Sequence, residues 1–502
     1  MFGHPLYKLS LKLTATIMAV VALCRFSNGY GIIAVAAVGA FYALRGDCGI
    51  SLFSYALFPF LLLLNPLILP KTPSSFMVSR ITTVVLACCL ILGGAKRKGG
   101  EQLPLGYIFF YLVIAVISSF GGYFPLISYF KVINFTAFFL GLYVGTKNID
   151  QKPEDLFFVR GAFLAFALLL VWGSIAAIPF PSIAYFTSVS SVIISEGVEA
   201  AEEVLASREG AGLFCGITSQ SQFLGPCLAC LGGWVACDML FVERKMGWLH
   251  LAVLAPIPIM IAMTKSRIGL LTFCMLVAIL MFFCVPRIQL SESERRKISG
   301  LLQAFSILFV AIAIFAEVRH GTVSRLIRKT DEVAEDSRTL IEAFTSSRQA
   351  KIAECLYDFN QNPLWGMGFQ VSSDHPRLYQ QGKISLFSAP IEKSILPLMV
   401  LGETGVFGAL AFAFFLFMFY HDATMRGYTA TMTLFSVLLV SNMAEGTFFS
   451  PGGAGGVFWM FTVGGGFLID MSVKVANQKS VPIGEAPLNP HRRTRVRIAG
   501  RD

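Results

Sequence analysis

Fourteen apolar stretches follow one another along the chain, and most are as long as a membrane crossing. They are residues 9–25, 29–45, 49–69, 76–95, 105–120, 126–146, 156–179, 212–241, 248–264, 267–286, 301–317, 394–420, 427–444 and 454–474. A helix needs about 20 apolar residues to cross the hydrocarbon core of a bilayer. The spacing therefore predicts an all-α polytopic membrane protein of 12–14 transmembrane helices. The first two stretches are short, and as a tilted or re-entrant pair they would leave twelve. Charged residues make up only 14% of the chain, against about a quarter in a soluble domain. The net charge of +10 sits largely in connectors and in the tail His491-Arg492-Arg493-Thr494-Arg495-Val496-Arg497, so it is not read as nucleic-acid affinity.

One interval breaks the pattern. Residues 318–393 contain no apolar run of membrane length, and open with Arg319, His320, Arg325, Arg328 and Lys329. Orientation follows from the tendency of Lys and Arg to stay on the cytoplasmic side. With the N-terminus inside, the even connectors carry Arg45, then Lys96-Arg97-Lys98, Lys147 and Lys152, Arg244-Lys245, and Arg287 with Arg295-Arg296-Lys297. The odd connectors are mostly poor in Lys and Arg, and one, 180–211, is acidic. The alternation predicts both termini in the cytoplasm and 318–393 as one large extracytoplasmic loop. The expected organisation is N-terminal helices with an acidic outer loop (1–206), further helices (207–317), the large loop (318–393), C-terminal helices (394–474) and a basic cytoplasmic tail (475–502). No cleavable signal peptide is expected, and the first apolar run reads as a retained span.

The eleven cysteines add little. Ten lie in or beside apolar runs, where cysteine is usually a small packing residue. Cys227 and Cys230 form a C-x-x-C inside a span, which reads as helix packing rather than redox chemistry.

Three arginines run against the orientation rule: Arg208 at the end of the acidic outer loop, Arg267 in Thr264-Lys265-Ser266-Arg267, and Arg348 in the long loop. Taken singly, each is equally well read as snorkelling towards headgroups. Together they suggest a cationic outer site, and the planar fork of arginine suits phosphate. In Asn362-Pro363-Leu364-Trp365-Gly366-Met367-Gly368, proline fixes φ while Gly366 and Gly368 permit positive φ or close backbone approach. Ionisable residues at membrane depth are costly and so are functional candidates. Glu392 lies where the loop returns to the membrane, Glu403 lies in Glu403-Thr404-Gly405, and Glu445 ends a later span. Glu403 reads equally as a functional carboxylate or as a local structural partner beside Gly402, Gly405 and Gly408.

With these residues in place, the chain resembles the O-antigen ligase and polymerase superfamily of bacterial surface-polysaccharide enzymes. Ser207-Arg208-Glu209-Gly210-Ala211-Gly212, followed by Ser219-Gln220-Ser221-Gln222, looks like the family's Arg-x-x-Gly motif and its polar step. Thr264-Lys265-Ser266-Arg267-Ile268-Gly269 looks like its Ser-Arg-Gly span start. Ser347-Arg348, upstream of Asn362-Pro363-Leu364-x-Gly366-x-Gly368, looks like the start of its outer loop. Leu401-Gly402-Glu403-Thr404-Gly405-Val406-Phe407-Gly408 looks like its Glu-x-Gly-x-x-Gly returning helix. Family ligases place a histidine some residues before that Glu-x-Gly step. Here the register holds Lys393-Ser394 after Glu392, and the nearest upstream histidine is His375. That departure points to a chain-extending polymerase, or to a branch that uses a carboxylate in place of imidazole.

The resemblance implies a GT-C-like architecture in the bacterial inner membrane with a periplasmic active loop. It implies inverting transfer of a glycan from a polyprenyl-diphosphate donor to a glycan acceptor, with membrane lipids and other polysaccharide-assembly proteins as further partners. Arg208, Arg267 and Arg348 would neutralise the diphosphate leaving group. Glu392 is the first choice of base for the acceptor hydroxyl, with His375 and Glu403 as alternates. No cofactor and no divalent metal are expected. A ligase acting on a lipid core or a protein stays open within the enzyme class. Outside it, a transporter or lipid-linked glycan flippase, or a non-catalytic sensor or assembly subunit, stays open.

Overall fold

The apolar stretches become helices. In the computed structural model the residues described are 4–27, 30–69, 73–95, 100–149, 152–185, 213–287, 352–371, 380, 395–443, 446–450 and 454–480. The first seven helices are α1 (Pro5–Phe26), α2 (Gly31–Arg45), α3 (Cys48–Leu63), α4 (Pro73–Ala95), α5 (Ile108–Phe120), α6 (Pro125–Lys147) and α7 (Pro153–Ala177). Then come α8 (Ser221–Cys237, prolonged by a π-helical turn over Asp238–Glu243), α9 (Trp248–Leu254), α10 (Ile257–Met263) and α11 (Arg267–Ile279, prolonged over Leu280–Cys284). The last are α12 (Leu396–Arg426), α13 (Thr429–Ser441), α14 (Ala454–Trp459) and, after a π turn at Met460–Gly464, α15 (Gly465–Ser480). The 301–317 stretch lies outside the described residues.

Among the described residues, seven helices are long and apolar enough to cross a membrane: Pro5–Phe26, Pro125–Lys147, Pro153–Ala177, Ser221–Glu243, Arg267–Cys284, Leu396–Arg426 and Gly455–Gln478. Shorter apolar helices accompany them, among them Gly31–Arg45, Cys48–Leu63 and Thr429–Ser441. The chain is an all-helical, multi-pass membrane protein.

Local chemistry sets the boundaries. Proline opens α1, α6 and α7, at the position where a helix has no use for the missing N–H. Left-handed glycines close α2 and α12, Gly46 at φ 80° and Gly427 at φ 70°, which frees the last carbonyls to be capped. The Ser266 hydroxyl accepts from the Gly269 N–H at 3.2 Å and so caps α11.

Burial sorts the helices into a centre and a rim. Every residue of α3 except Ile50 is buried, as is α8 from Leu224 to Cys237. Cys227 and Cys230 are among these buried residues, as packing side chains should be. The rim helices α1, α2, α4, α5 and α12 leave large apolar side chains exposed, including Phe26, Phe41, Leu92, Val113 and Phe417. In water such surface would be an aggregation liability. In a multi-pass protein it is the face that meets lipid.

Chain direction fixes which residues share an end of the bundle. The Leu396 N–H donates to the Asn442 carbonyl at 3.2 Å, so the start of α12 meets the end of α13. Arg426, Gly427 and Tyr428 therefore lie at the opposite end. There Tyr428 donates its hydroxyl to Glu101, and the Lys474 Nζ donates to the same carboxylate at 2.8 and 2.9 Å. Asp470 caps α13, accepting from the Ala430 and Thr431 N–H groups at 3.0 and 2.8 Å.

The same end holds a buried charge cluster. The Arg160 guanidinium donates Nε to Asp238 Oδ1 at 2.8 Å, and Nη2 to both Asp238 Oδ2 at 3.1 Å and Glu243 Oε1 at 2.7 Å. His250 stands between Asp238 (3.1 Å) and the Tyr7 hydroxyl (3.2 Å), which ties α1 to α8 and α9. The Lys152–Asp47 pair, 3.8 Å apart, also lies at this end.

Candidate active site

At the other end, the start of α12 is not one continuous helix. Gly405 has φ 63° and ψ −165°, which breaks the ladder. An unbroken helix would join the Val406 N–H to the Gly402 carbonyl and the Phe407 N–H to the Glu403 carbonyl. Here the Val406 N–H donates to the Pro363 carbonyl at 2.8 Å, and the Phe407 N–H to the Leu364 carbonyl at 3.2 Å. The two freed acceptors are taken by the same segment: the Met367 N–H donates to Gly402 and the Gly368 N–H to Glu403, each at 3.0 Å. Two helix bonds are thus exchanged for four main-chain bonds to residues 363–368, and the two donors and two acceptors that the break frees all find partners.

This interlock explains two of the glycines. A Cβ at Gly366 would stand 2.4 Å from the Glu403 carbonyl carbon, and one at Gly405 would stand 2.4 Å from that of Leu364. Both residues also have positive φ, 74° and 63°. Contact this close between backbones admits no side chain. Trp365 and Phe407 then cover the joint, with ring centroids 4.8 Å apart.

Two further elements hold the segment. A helix over 352–361 runs up to it, and a Cβ at Gly402 would stand 3.0 Å from the Cys355 carbonyl oxygen and 3.5 Å from the Asp358 Cβ. The start of α6 and the turn just before it supply donors along the other side. The Tyr123 N–H donates to the Met367 carbonyl at 3.1 Å, the Ser128 hydroxyl to Phe369 at 3.1 Å, and the Lys131 ammonium to Gln370 at 2.8 Å. Gln370 itself is left-handed at φ 53°, and its side-chain amide donates to the Phe449 carbonyl. Phe369, Phe449, Phe135 and Tyr111 form the apolar floor, with Phe369 and Phe449 centroids 5.3 Å apart.

The predicted site residues divide accordingly. Gly366, Gly368 and Glu403 are brought together in the interlock. Glu403 is 1% exposed and lies beside Tyr111. Arg267 opens α11, half-buried, on the seam with α8, where a Cβ at Gly225 would stand 2.7 Å from that of Ser266. Because α8 runs from Ser221 towards the Asp238 cluster, this corner is at the same end as the interlock. Arg208, Arg348, His375, Glu392 and Glu445 lie outside the described residues, as does nearly all of 372–394.

Sequence reading missed two residues here. Lys131, buried at 7% exposed, is a lone lysine inside an apolar run. Asp358, fully buried, belongs to a stretch passed over for the turn that follows it. The signal for Lys131 was available: an ammonium at membrane depth is costly unless it serves something.

Neither curated proteins nor solved structures give a match to this chain. Residues 250–413, which contain the Arg267 corner, the 352–361 helix and the whole interlock, match the family model described as O-Antigen ligase; the chain therefore carries a domain of the O-antigen ligase family, a family of enzymes.

Proposed function

We propose that the chain moves a glycan from a polyprenyl-diphosphate donor to a sugar hydroxyl at the outer face of the inner membrane, as a polymerase or ligase. The observation that carries this reading is the interlock within the O-antigen ligase domain. It joins Gly366 and Gly368, at the foot of the long polar interval, to the broken helix that holds Glu403. An enzyme acting on a lipid-borne diphosphate needs polar groups fixed at the membrane rim, and this joint fixes them by main chain alone. Chain direction adds support. Arg45, Lys147, Lys152 and Arg244 all fall at the end opposite the interlock, so the interlock faces outwards if basic connectors stay inside. Counting the six shorter apolar helices as crossings would give thirteen among the described residues, and the 301–317 stretch would be a fourteenth.

In this reading Arg208, Arg267 and Arg348 hold the diphosphate and neutralise it as it leaves. Glu392 removes the acceptor proton, and His375 is the alternate. The burial of Glu403 favours a holding role for that carboxylate. Displacement is single, inverting and metal-independent. The description of the matched family favours a ligase as the second form of the same reaction.

The test is expression of Arg267→Ala, Arg348→Ala and Glu392→Gln in cells lacking the chain, with surface glycan and lipid-linked pools run on gels. Loss of long glycan, with build-up of lipid-linked units at the outer face, is expected. Normal chain lengths in all three variants would sink the proposal. Build-up on the cytoplasmic face would replace transfer with flipping.

A further inference from the structure

We infer that Gly225 is a positioning residue for this transfer: because it has no side chain, α11 closes onto α8 there, and the contact fixes where Arg267 stands. The inference rests on the reading above, in which Arg267 holds the diphosphate, and adds a residue that the reading does not use.

Gly225 is buried in the second turn of α8. The two helices run the same way, since Gly225 meets Ser266 and Gly269 at the interlock end and Gly233 meets Leu276 further in. A Cβ at Gly225 would stand 2.7 Å from the Ser266 Cβ, and one at Gly269 would stand 2.7 Å from the Gly225 carbonyl carbon. These contacts bracket Arg267, one residue before it and two after. Glycine is a poorer helix former than alanine, so helix propensity does not account for Gly225.

The turn that leads into Arg267 has little slack. The Thr264 hydroxyl donates to the Ile261 carbonyl at 2.7 Å and accepts from the Ser266 N–H at 3.2 Å. Lys265 is left-handed at φ 49°, and its N–H donates to the Ala262 carbonyl at 3.1 Å. The Ser266 hydroxyl is committed to the Gly269 N–H. A push on Ser266 is therefore passed on to Arg267 rather than absorbed. Restoring the ordinary separation of about 3.5–4.0 Å between carbons would move Ser266 by about 1 Å. An arginine fork grips phosphate through two parallel hydrogen bonds, which makes its placement matter. Misplacing a reacting group by about 1 Å can cost on the order of 100-fold in rate.

The experiment uses the full chain in proteoliposomes. The donor is the polyprenyl-diphosphate-linked glycan extracted from cells lacking the chain, and initial rates of glycan transfer are followed against donor concentration. Gly225→Ala should lower kcat/KM by about 100-fold. Ser266→Gly keeps most of the cap and takes away the Cβ that the new methyl would strike, so adding it to Gly225→Ala should recover most of the loss. In an Arg267→Ala background, Gly225→Ala should add no further loss, because a residue that acts through the guanidinium has nothing left to act on. Gly233→Ala, in the same seam, meets first the ends of the Leu276 and Leu434 side chains, at 3.1 Å, and should transfer normally.

Wild-type transfer in Gly225→Ala overturns the inference. So does an equal loss with and without Arg267, or an equal loss in Gly233→Ala, which would make the seam a matter of packing alone. Should Gly225→Ala fail to accumulate, the double variant with Ser266→Gly decides. Recovered transfer supports the role; a double variant that is inactive, or that still fails to accumulate, overturns it. If Arg267→Ala itself transfers normally, the reading of Arg267 as a diphosphate ligand fails. If Arg267→Ala loses transfer and Gly225→Ala does not, only the positioning role fails.

Discussion

The two ends of the bundle are held by different chemistry. At one end, Arg160, Asp238, Glu243, His250 and Tyr7 form a buried network of side chains, and Glu101 with Lys474 and Tyr428 forms a second, more exposed one. At the other, four main-chain hydrogen bonds lock residues 363–368 into the break of α12. Side-chain networks are selective about which residues stand at each position, since a buried charge left alone is penalised. A main-chain joint is selective only about what must be absent. The contrast teaches that the interlock is specified by its glycines, and the opposite end by its charges.

The sharpest way to break this contrast is to put a side chain into the joint. Gly405→Val combines a forbidden φ with a Cβ 2.4 Å from the Leu364 carbonyl carbon. Strain and overpacking together should cost about 2–6 kcal/mol. The variant should unfold early in detergent, or accumulate without transferring glycan. A wild-type melting profile together with normal surface glycan would show that the joint is not a constraint.

At the charged end, Arg160→Met leaves Asp238 buried without its guanidinium and should destabilise by about 3–5 kcal/mol. Replacing both partners, Arg160→Met with Asp238→Leu, should recover much of that, because the penalty belongs to the unpaired charge. A double variant no more stable than the single would refute the pairing account, and thermal unfolding of the purified chain is the readout.

The smallest effect belongs to Glu101. Partial burial raises its pKa, but the bonds from Lys474 and Tyr428 outweigh this and hold the carboxyl below its ordinary value of 4.5. A group depressed on folding contributes stability that is complete above the unfolded value and is lost as pH falls through the folded one. The melting temperature of the native chain should therefore decline on acidification below that value, and Glu101→Gln should flatten the decline. At neutral pH the substitution should cost under about 1 kcal/mol, since the pair is partly exposed. An unchanged pH slope in Glu101→Gln would remove this tie from the account.

Much of the helix layout was legible in the sequence because apolar runs and prolines encode it directly. Most predicted stretches lie within a few residues of the observed helices. The largest shift is at α8, where the run begins at 212 but the helix begins at Ser221, because residues 217–219 pair instead with Leu63–Asn65 at the end of α3, and the Cys215 and Gly216 N–H groups donate to the Ala184 carbonyl. The glycines and Glu403 of the interlock were legible as residues of interest, but their meeting was not. Main-chain hydrogen bonds leave no pattern of side chains to read, and the paired residues stand well apart in sequence. Lys131 was hidden because a hydropathy window averages one lysine away. Arg160 and Asp238 were hidden in the same way, each inside a long apolar run, although opposite charges at matching depths were there to be noticed.

The break in α12 also bears on where the bilayer stops. Before Gly405 the helix has about nine residues, roughly 14 Å, too short for a crossing. From Val406 to Arg426 it rises roughly 31 Å, close to the hydrocarbon thickness of about 30 Å. A hydropathy plot would draw the lipid boundary near residue 394. Helix length instead fits a boundary at Gly405, and in the function proposed above the first turns of α12 would then stand at headgroup depth, beside the phosphate of a lipid-borne donor.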